Sequence, residues 1–340
     1  MKRRQFIGGL LGPAVLFCPL IARAQGGRGT RRLGVLMVGT EGDADSKARI
    51  AALQQGLRDN GWQDGHNIHI EYRWSSGRPD LIRQYAEELV ALAPDVIVAN
   101  GTPAIAALKP LTRSIPIVCA LVIDPVGLGL VETLARPGGN ITGYSFINVE
   151  LIGKWTALLK AVAPALTRAA VLYNPKANPW YANFQREIAA TPQLAAIDLV
   201  TAPVETIEDL QTTIQKLAHA RNTGLIIGPD AFVITQIQTV AHLAAANRLP
   251  CVSVYRQFPV EGGLMSYGPD IPEIFRRSAG YVDLIFKGAN SAELPVQQPT
   301  KFEFVFNQKA AEALSLKIPE SVLARADEVI EWGAGSSSVE

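Results

Sequence analysis

The sequence predicts an α/β protein of two lobes, each a doubly wound parallel sheet, joined by a hinge of three chain crossings. Three observations carry this reading. Short β-branched runs alternate with helical patterns along most of the chain. The alternation breaks at Pro137-Gly138-Gly139-Asn140 and then resumes as a second series. The tail from Gly263 extends neither series simply, as expected where a chain returns to its first lobe.

Leu33 to Val38 reads as the first strand. Ala44 to Asn60 is its helix, with Ile50, Leu53 and Leu57 at helical spacing and Asn60-Gly61 as the stop. Asn67 to Trp74 is a strand, and Pro79 to Leu92 a helix with proline near its first turn. Asp95 to Ala99 is the third strand, Pro103 to Leu111 a short helix, and Ile115 to Ile123 the fourth strand. Ile141 to Phe146 carries the chain onward.

The second series opens with a helix from Leu151 to Val162, a strand from Ala169 to Tyr173 and a helix from Pro179 to Ala190. A strand follows from Ala196 to Ala202, a helix from Ile207 to His219 and a strand from Gly224 to Ile227. A helix from Ala231 to Asn247 and a strand from Pro250 to Val254 complete it. The tail adds a strand from Gly263 to Tyr267, a helix from Pro272 to Lys287 and a strand from Lys301 to Asn307. Crossings near Gly143, Tyr255 and Pro295 then divide the chain. Lobe 1 is residues 31–143 with 256–293, lobe 2 is residues 144–255 with 294–332, and residues 333–340 are a flexible tail.

Residues 1–24 read as an export leader. Lys2, Arg3 and Arg4 precede an uncharged stretch from Phe6 to Ala22 that is short and glycine-rich for a membrane span of about 20 residues. It ends in Ala22-Arg23-Ala24, a pattern for cleavage after Ala24, so the mature chain is expected in the periplasm with no membrane insertion of its own. Arg3-Arg4-Gln5-Phe6-Ile7 is similar to a twin-arginine signal, with a general secretion leader as the alternative. The residues before Cys18 are too bulky for lipid attachment.

The whole chain has a net charge of +1; losing the leader removes four basic residues and no acid, which leaves −3. No basic stripe remains to serve as a nucleic-acid footprint, so a nucleic-acid partner is not expected. Cys119 and Cys251 each sit in an apolar strand-like run, in different lobes, and read as small buried hydrophobes rather than a disulfide.

In open parallel sheets ligands bind beyond the carboxyl ends of the strands, so the loops there are the candidate site. Asn100-Gly101-Thr102-Pro103 offers a glycine, free amides and a cap, suited to a ligand carboxylate, or else merely starts a helix. Asp124 and Asp230 each place a carboxylate at a strand end; Asp124 otherwise organises a turn and Asp230 otherwise caps the helix at Ala231. Trp74, Tyr173 with Asn174, Tyr255 and Tyr267 lie at the same level as stacking walls, or else as packing. Thr40 and Ser145, beside two further strand runs, complete the candidate set.

Catalytic patterns are missing. The sequence has no Gly-x-Ser-x-Gly elbow, phosphate loop or dinucleotide fingerprint. His66 and His69 flank and enter a strand at a spacing that points them to opposite faces, and His219 and His242 lack partners at ligand spacing. No catalytic residue, metal or cofactor is expected. The chain reads as a monomer that binds a small molecule, with a periplasmic enzyme on the same scaffold as a rival.

Several strings also carry a family likeness: Gly65-His66-Asn67-Ile68, Asp95-Val96-Ile97-Val98-Ala99-Asn100-Gly101-Thr102-Pro103, Asp124-Pro125-Val126-Gly127, Leu134-Ala135-Arg136-Pro137-Gly138-Gly139-Asn140-Ile141-Thr142-Gly143, Gly263-Leu264-Met265-Ser266-Tyr267-Gly268 and Leu294-Pro295-Val296-Gln297-Gln298-Pro299-Thr300-Lys301. They resemble ABC transporter substrate-binding proteins of the tryptophan/tyrosine type, over nearly the whole mature chain. The resemblance implies two Rossmann-like lobes of the type I periplasmic binding protein arrangement, with a ligand clamped between them. It implies delivery to an ABC permease, with a receptor docking on a separate signalling partner as the alternative. It suggests an amino acid or aromatic acid as ligand, with Thr102 and nearby amides on the carboxylate and Asp230 on the ammonium.

Overall fold

The computed structural model describes residues 29–146, 150–176, 181 and 197–331. The expected leader, the helix expected over 179–190 except Tyr181, and the tail over 333–340 lie outside the described residues.

The first sheet has five parallel strands, β1 (Arg31–Met37), β2 (Ile68–Trp74), β3 (Val96–Asn100), β4 (Ile117–Val122) and β5 (Ile141–Ser145), in the order β2-β1-β3-β4-β5. Every residue of β3, β4 and β5 is buried, which is why these strands are near-continuous apolar runs rather than alternating ones. Helices α1 (Ala44–Asp59), α2 (Pro79–Ala91) and α3 (Thr102–Leu108) connect the strands. The Asp43 side chain caps α1 by accepting from Ser46 N at 2.6 Å. The buried stripe of α1 is Ser46, Arg49, Leu53, Gly56 and Leu57, rotated from the expected Ile50-Leu53-Leu57 face so that it includes a charged residue.

The second sheet has seven strands in the order β12-β11-β10-β9-β8-β6-β7. These are β6 (Arg168–Tyr173), β7 (Asp198–Pro203), β8 (Thr223–Ile227), β9 (Cys251–Ser253), β10 (Met265–Pro269), β11 (Phe302–Asn307) and β12 (Glu328–Ile330). Only the β10–β11 pair is antiparallel. Helix α4 (Glu150–Val162) packs on this sheet, and Trp155 donates its indole N–H to the Tyr267 carbonyl at 2.7 Å. Cys119 in β4 and Cys251 in β9 are free, buried thiols in different sheets, each pushed up to about 12 by burial.

Two expectations are corrected here. The helix expected over Ala231 to Asn247 is two helices, α6 (Ala231–Thr235) and α7 (Ile237–Ala246), with α5 (Ile207–His219) before them. The β-branched run Val233-Ile234-Thr235 ends the first, Thr235 Oγ1 donates to the Phe232 carbonyl at 2.7 Å, and Gln236 leaves helical geometry. The return to lobe 1 is not near Tyr255. After α8 (Gln257–Val260) the chain forms β10, which pairs with β9 and β11, so residues 256–269 stay with the second sheet.

The chain crosses instead at Asp270. Its carboxylate caps α9 (Ile271–Phe286) by accepting from Glu273 N at 3.0 Å and pairs with Lys301 at 2.8 Å on the strand that crosses back. Helix α9 packs against α1 and the first sheet. It approaches α1 so closely at Gly56 that an added Cβ would lie 2.2 Å from the Arg276 carbonyl oxygen. The last crossing runs beside β5, where Ser145 N donates to Gln297 O and Gln297 N donates to Gly143 O, each at 2.8 Å. The chain then enters β11, α10 (Gln308–Ala313), α11 (Glu320–Leu323) and β12. Among the described residues, no helix is long and apolar enough to cross a membrane.

Candidate functional site

Both sheets share one topological feature that locates the site. In the first, strand order reverses between β1 and β3; in the second, the run β7-β6-β8-β9-β10 reverses between β6 and β8. The loops leaving the carboxyl ends of strands at such a reversal diverge and open a crevice. A cleft of about 430 Å³ lies there, between the two sheets. Its first-lobe wall is Val38 to Ser46 without Glu41 and Gly42, Arg49, Asn100 to Pro103, Leu121 and Ile123. Its second-lobe wall includes Pro229, Asp230, Ile234, Thr235, Ile237 and Tyr255, with Phe146 between.

Local structure explains how the sequence makes these walls. Gly101 has φ 82° at the turn from β3 into α3, a region that a side chain disfavours, so glycine lets the backbone turn and stay open toward the cleft. Thr102 Oγ1 accepts from Ile123 N at 2.9 Å and ties that turn to the end of β4. Asn100 Oδ1 accepts from Val38 N at 3.4 Å and ties the ends of β3 and β1. The break after α6 brings Ile234, Thr235 and Ile237 together on the opposite wall.

Of the expected site residues, Thr40, Gly101, Thr102, Asp230 and Tyr255 line this cleft, and six do not. Trp74 stacks on Tyr72, with centroids 6.5 Å apart. Tyr173 stacks on Tyr181 at 3.8 Å, and Tyr267 on Phe302 at 5.9 Å. These three aromatics therefore pack, the alternative that their positions left open, and Tyr267 lies in the middle of β10 rather than at a strand end. Asp124 accepts from Gly127 N at 2.8 Å and organises its turn. Ser145 Oγ donates to Gln297 O at 3.3 Å in the hinge. Asn174 Oδ1 accepts from Lys176 N at 2.9 Å, shaping its own loop.

Asp230 lines the cleft but is committed to the frame. It is 2% exposed. One carboxylate oxygen accepts from Phe232 N and Val233 N at 2.8 Å each, capping α6, and the other accepts from Asn174 N at 2.7 Å. Its own N–H donates to the Tyr255 hydroxyl at 3.1 Å. The helix-capping alternative accounts for this carboxylate, and the ammonium-holding role expected by resemblance has little of it left to use. Burial pushes the Tyr255 hydroxyl well up from its usual range, so it stays protonated and able to donate.

The residue that sequence reasoning missed is Arg49. It is 5% exposed and the sole cation among the described lining residues, where Asp43, Asp45, Asp230 and Glu261 are acids. It touches Asp45 as an ion pair four residues back on α1. The pair is made through its Nη2, and its Nε has no acceptor among the described residues. The available signal was its spacing from Leu53 and Leu57, which puts a charge on the buried stripe one turn into the helix that follows β1.

Residues 35–330 match the family model described as ABC transporter substrate binding protein. A tyrosine-binding protein of Clostridioides difficile is 24% identical over 279 residues, which are 81% of this chain and 77% of that one. A crystal structure of a conserved domain protein from Vibrio cholerae is 30% identical, with a TM-score of 0.79 over 88% of this chain and 99% of that one. The ABC domain of a Streptococcus pneumoniae protein in complex with L-Trp is 25% identical, with a TM-score of 0.81 over 88% of this chain and all of that one.

Proposed function

This chain belongs to the ABC transporter substrate-binding protein family, and from that premise we propose that its cleft captures an amino acid with a bulky apolar or aromatic side chain. The observation that carries the reading is the cleft of about 430 Å³ lined from the switch points of both sheets. Its size suits a small ligand, and Leu121, Ile123, Phe146, Ile234 and Ile237 supply an apolar wall while polar groups gather around α1 and α3. The relatives that bind tyrosine and L-Trp point to the same class.

The mature chain works as a monomer in the periplasm, exported by residues 1–24, and passes its ligand to a membrane permease without chemical turnover. Thr40, Gly101 and Thr102 contact the ligand from the first lobe and Tyr255 from the second, where Asp230 holds the wall in shape. Ligand closes the lobes only if it touches both of them, since a population shift requires tighter binding to the closed form.

The test is native mass spectrometry of protein taken from periplasm, followed by thermal-shift titration with L-tryptophan, L-tyrosine, L-leucine and aromatic acids. A ligand at a hundred times its dissociation constant adds about 2.7 kcal/mol of stability, worth roughly 5 °C or more in a chain of this size. A co-purified ligand of another class, with no shift from any amino acid, refutes the proposed ligand.

A further inference from the structure

Among the cleft's charged groups, two stand apart because the fold does not use them up. Asp43 is committed: its oxygens accept from Ser46 N, Ser46 Oγ and Thr40 N. Asp230 is committed to α6 and to Asn174. Arg49 and Asp45, one turn apart on α1, neutralise each other, with side chains 7% and 21% exposed. A buried guanidinium is costly unless it is paired and hydrogen-bonded, and here Nη2 meets Asp45 while Nε stays without an acceptor among the described residues. The planar fork of donors on an arginine fits a carboxylate in bidentate fashion.

We propose that Arg49 and Asp45 are the recognition pair for a zwitterionic head group, Arg49 taking the ligand carboxylate and Asp45 its ammonium. This deepens the reading of the cleft as an amino-acid site and rests on it. Without ligand, each of the two side chains occupies the place of the charge that its neighbour binds. A zwitterion exchanges one internal pair for two intermolecular ones and leaves no charge alone. A ligand lacking either charge leaves one side chain uncompensated in a buried site. Tyr255 lines the same cleft as Arg49 and Asp45, from the second lobe. Its hydroxyl accepts from Asp230 N and keeps its own proton to donate to the same carboxylate. The head group is thereby gripped from both lobes.

The experiment is calorimetric titration of the full mature chain with L-tryptophan, L-tyrosine and L-leucine, each beside its amide and its deaminated acid. Breaking a buried charge pair by removing one partner weakens binding by about 100-fold or more, so the wild type is expected to discriminate by that factor against both analogues. Arg49→Met is expected to bind amino acid and amide alike, both weakly, and Arg49→Lys to restore part of the preference. Asp45→Asn is expected to reverse the preference between the amino acid and its deaminated acid. The neutral double variant D45N/R49M removes both charges together, keeps a folded comparison available, and is expected to show no head-group preference. Glu261→Gln, on the second lobe, is expected to leave the ammonium preference intact. Wild-type binding of an amino acid with its amide within threefold overturns the pair and leaves the cleft reading standing. So does loss of ammonium preference in Glu261→Gln but not in Asp45→Asn. Binding of none of the nine probes overturns the amino-acid reading, and this inference with it.

Discussion

Replacing Asp230 by alanine separates a residue that builds the cleft from one that holds ligand. The substitution removes the cap of α6, which costs about 1 kcal/mol, with a range of about 0.5 to 2. It also strips the acceptor from the Asn174 N–H, a buried donor whose loss of partner costs about 1 to 3 kcal/mol. A total near 3 kcal/mol corresponds to a fall in melting temperature of about 6 to 12 °C for domains of this size. Asp230→Asn keeps the cap, because asparagine is as good a capping residue, but it turns an amide donor or a weaker acceptor toward Asn174, so its fall should be about half as large. Differential scanning calorimetry of the ligand-free variants reads both. The reasoning fails if Asp230→Ala melts within about 2 °C of the wild type while amino-acid affinity drops tenfold, because the carboxylate would then belong to the ligand rather than to α6.

Tyr255→Phe removes the oxygen that accepts from Asp230 N, so urea unfolding should show a loss of about 1 to 3 kcal/mol, and ligand affinity should fall with it; an unchanged midpoint contradicts the geometry. Gly56→Ala puts a Cβ 2.2 Å from the Arg276 carbonyl oxygen, a backbone atom that cannot step aside. Forcing α1 from α9 should cost about 1 to 3 kcal/mol despite the better helix propensity of alanine, and a more stable variant would show that the helices part freely. Burial raises the Asp45 carboxyl above its usual value of 3.8, with Asp43 adding to the rise and Arg49 opposing it. The folded chain therefore holds this proton more tightly than the unfolded one, and the contribution is complete below 3.8 and fades as pH rises through the raised value. Stability of the ligand-free wild type relative to Asp45→Asn should fall over that window; a difference that grows with pH contradicts the sign.

The strand-helix series was legible because fully buried parallel strands are continuous apolar runs, and β3, β4 and β8 stand out on that ground alone. The address of β10 was not. A five-residue run carries no mark of which sheet it joins, and its place follows from pairing with β9, the strand just before it, and with β11, which comes only after the whole of α9. The cleft level was legible from the strand ends, and Thr40, Gly101, Thr102, Asp230 and Tyr255 fell on it. Trp74 and Tyr173 sit at strand ends too, while Tyr267, expected to end its strand, lies in the middle of β10; each found an aromatic neighbour to stack on, and alternation along a strand does not say whether a side chain faces cleft or core. Arg49 was hidden by taking Ile50 as part of the buried stripe; a shift of one residue, a rotation of about 100°, changes which side chain the helix buries.

The two walls of the cleft are unequal in a way that bears on closure. On the second lobe, Asp230, Asn174 and Tyr255 form one hydrogen-bonded frame that exists without ligand, so this wall arrives shaped and offers apolar area and one hydroxyl proton, with Gln257 and Glu261 lining the cleft beside it. On the first lobe, Arg49 is buried and paired with the half-buried Asp45, and its Nε has no acceptor among the described residues, so this wall offers charge. Ligand that met only the first lobe would bind open and closed forms alike and would not move the hinge, however tightly it bound. Closure must then draw its free energy from what the second lobe adds, the apolar contacts of Ile234 and Ile237 and, under the proposed recognition pair, the Tyr255 hydroxyl on the same head group. A side chain on the ligand long enough to reach that wall is therefore a requirement for closing the lobes and not merely for affinity, which is a physical reason for a site of this build to favour bulky apolar amino acids over small ones.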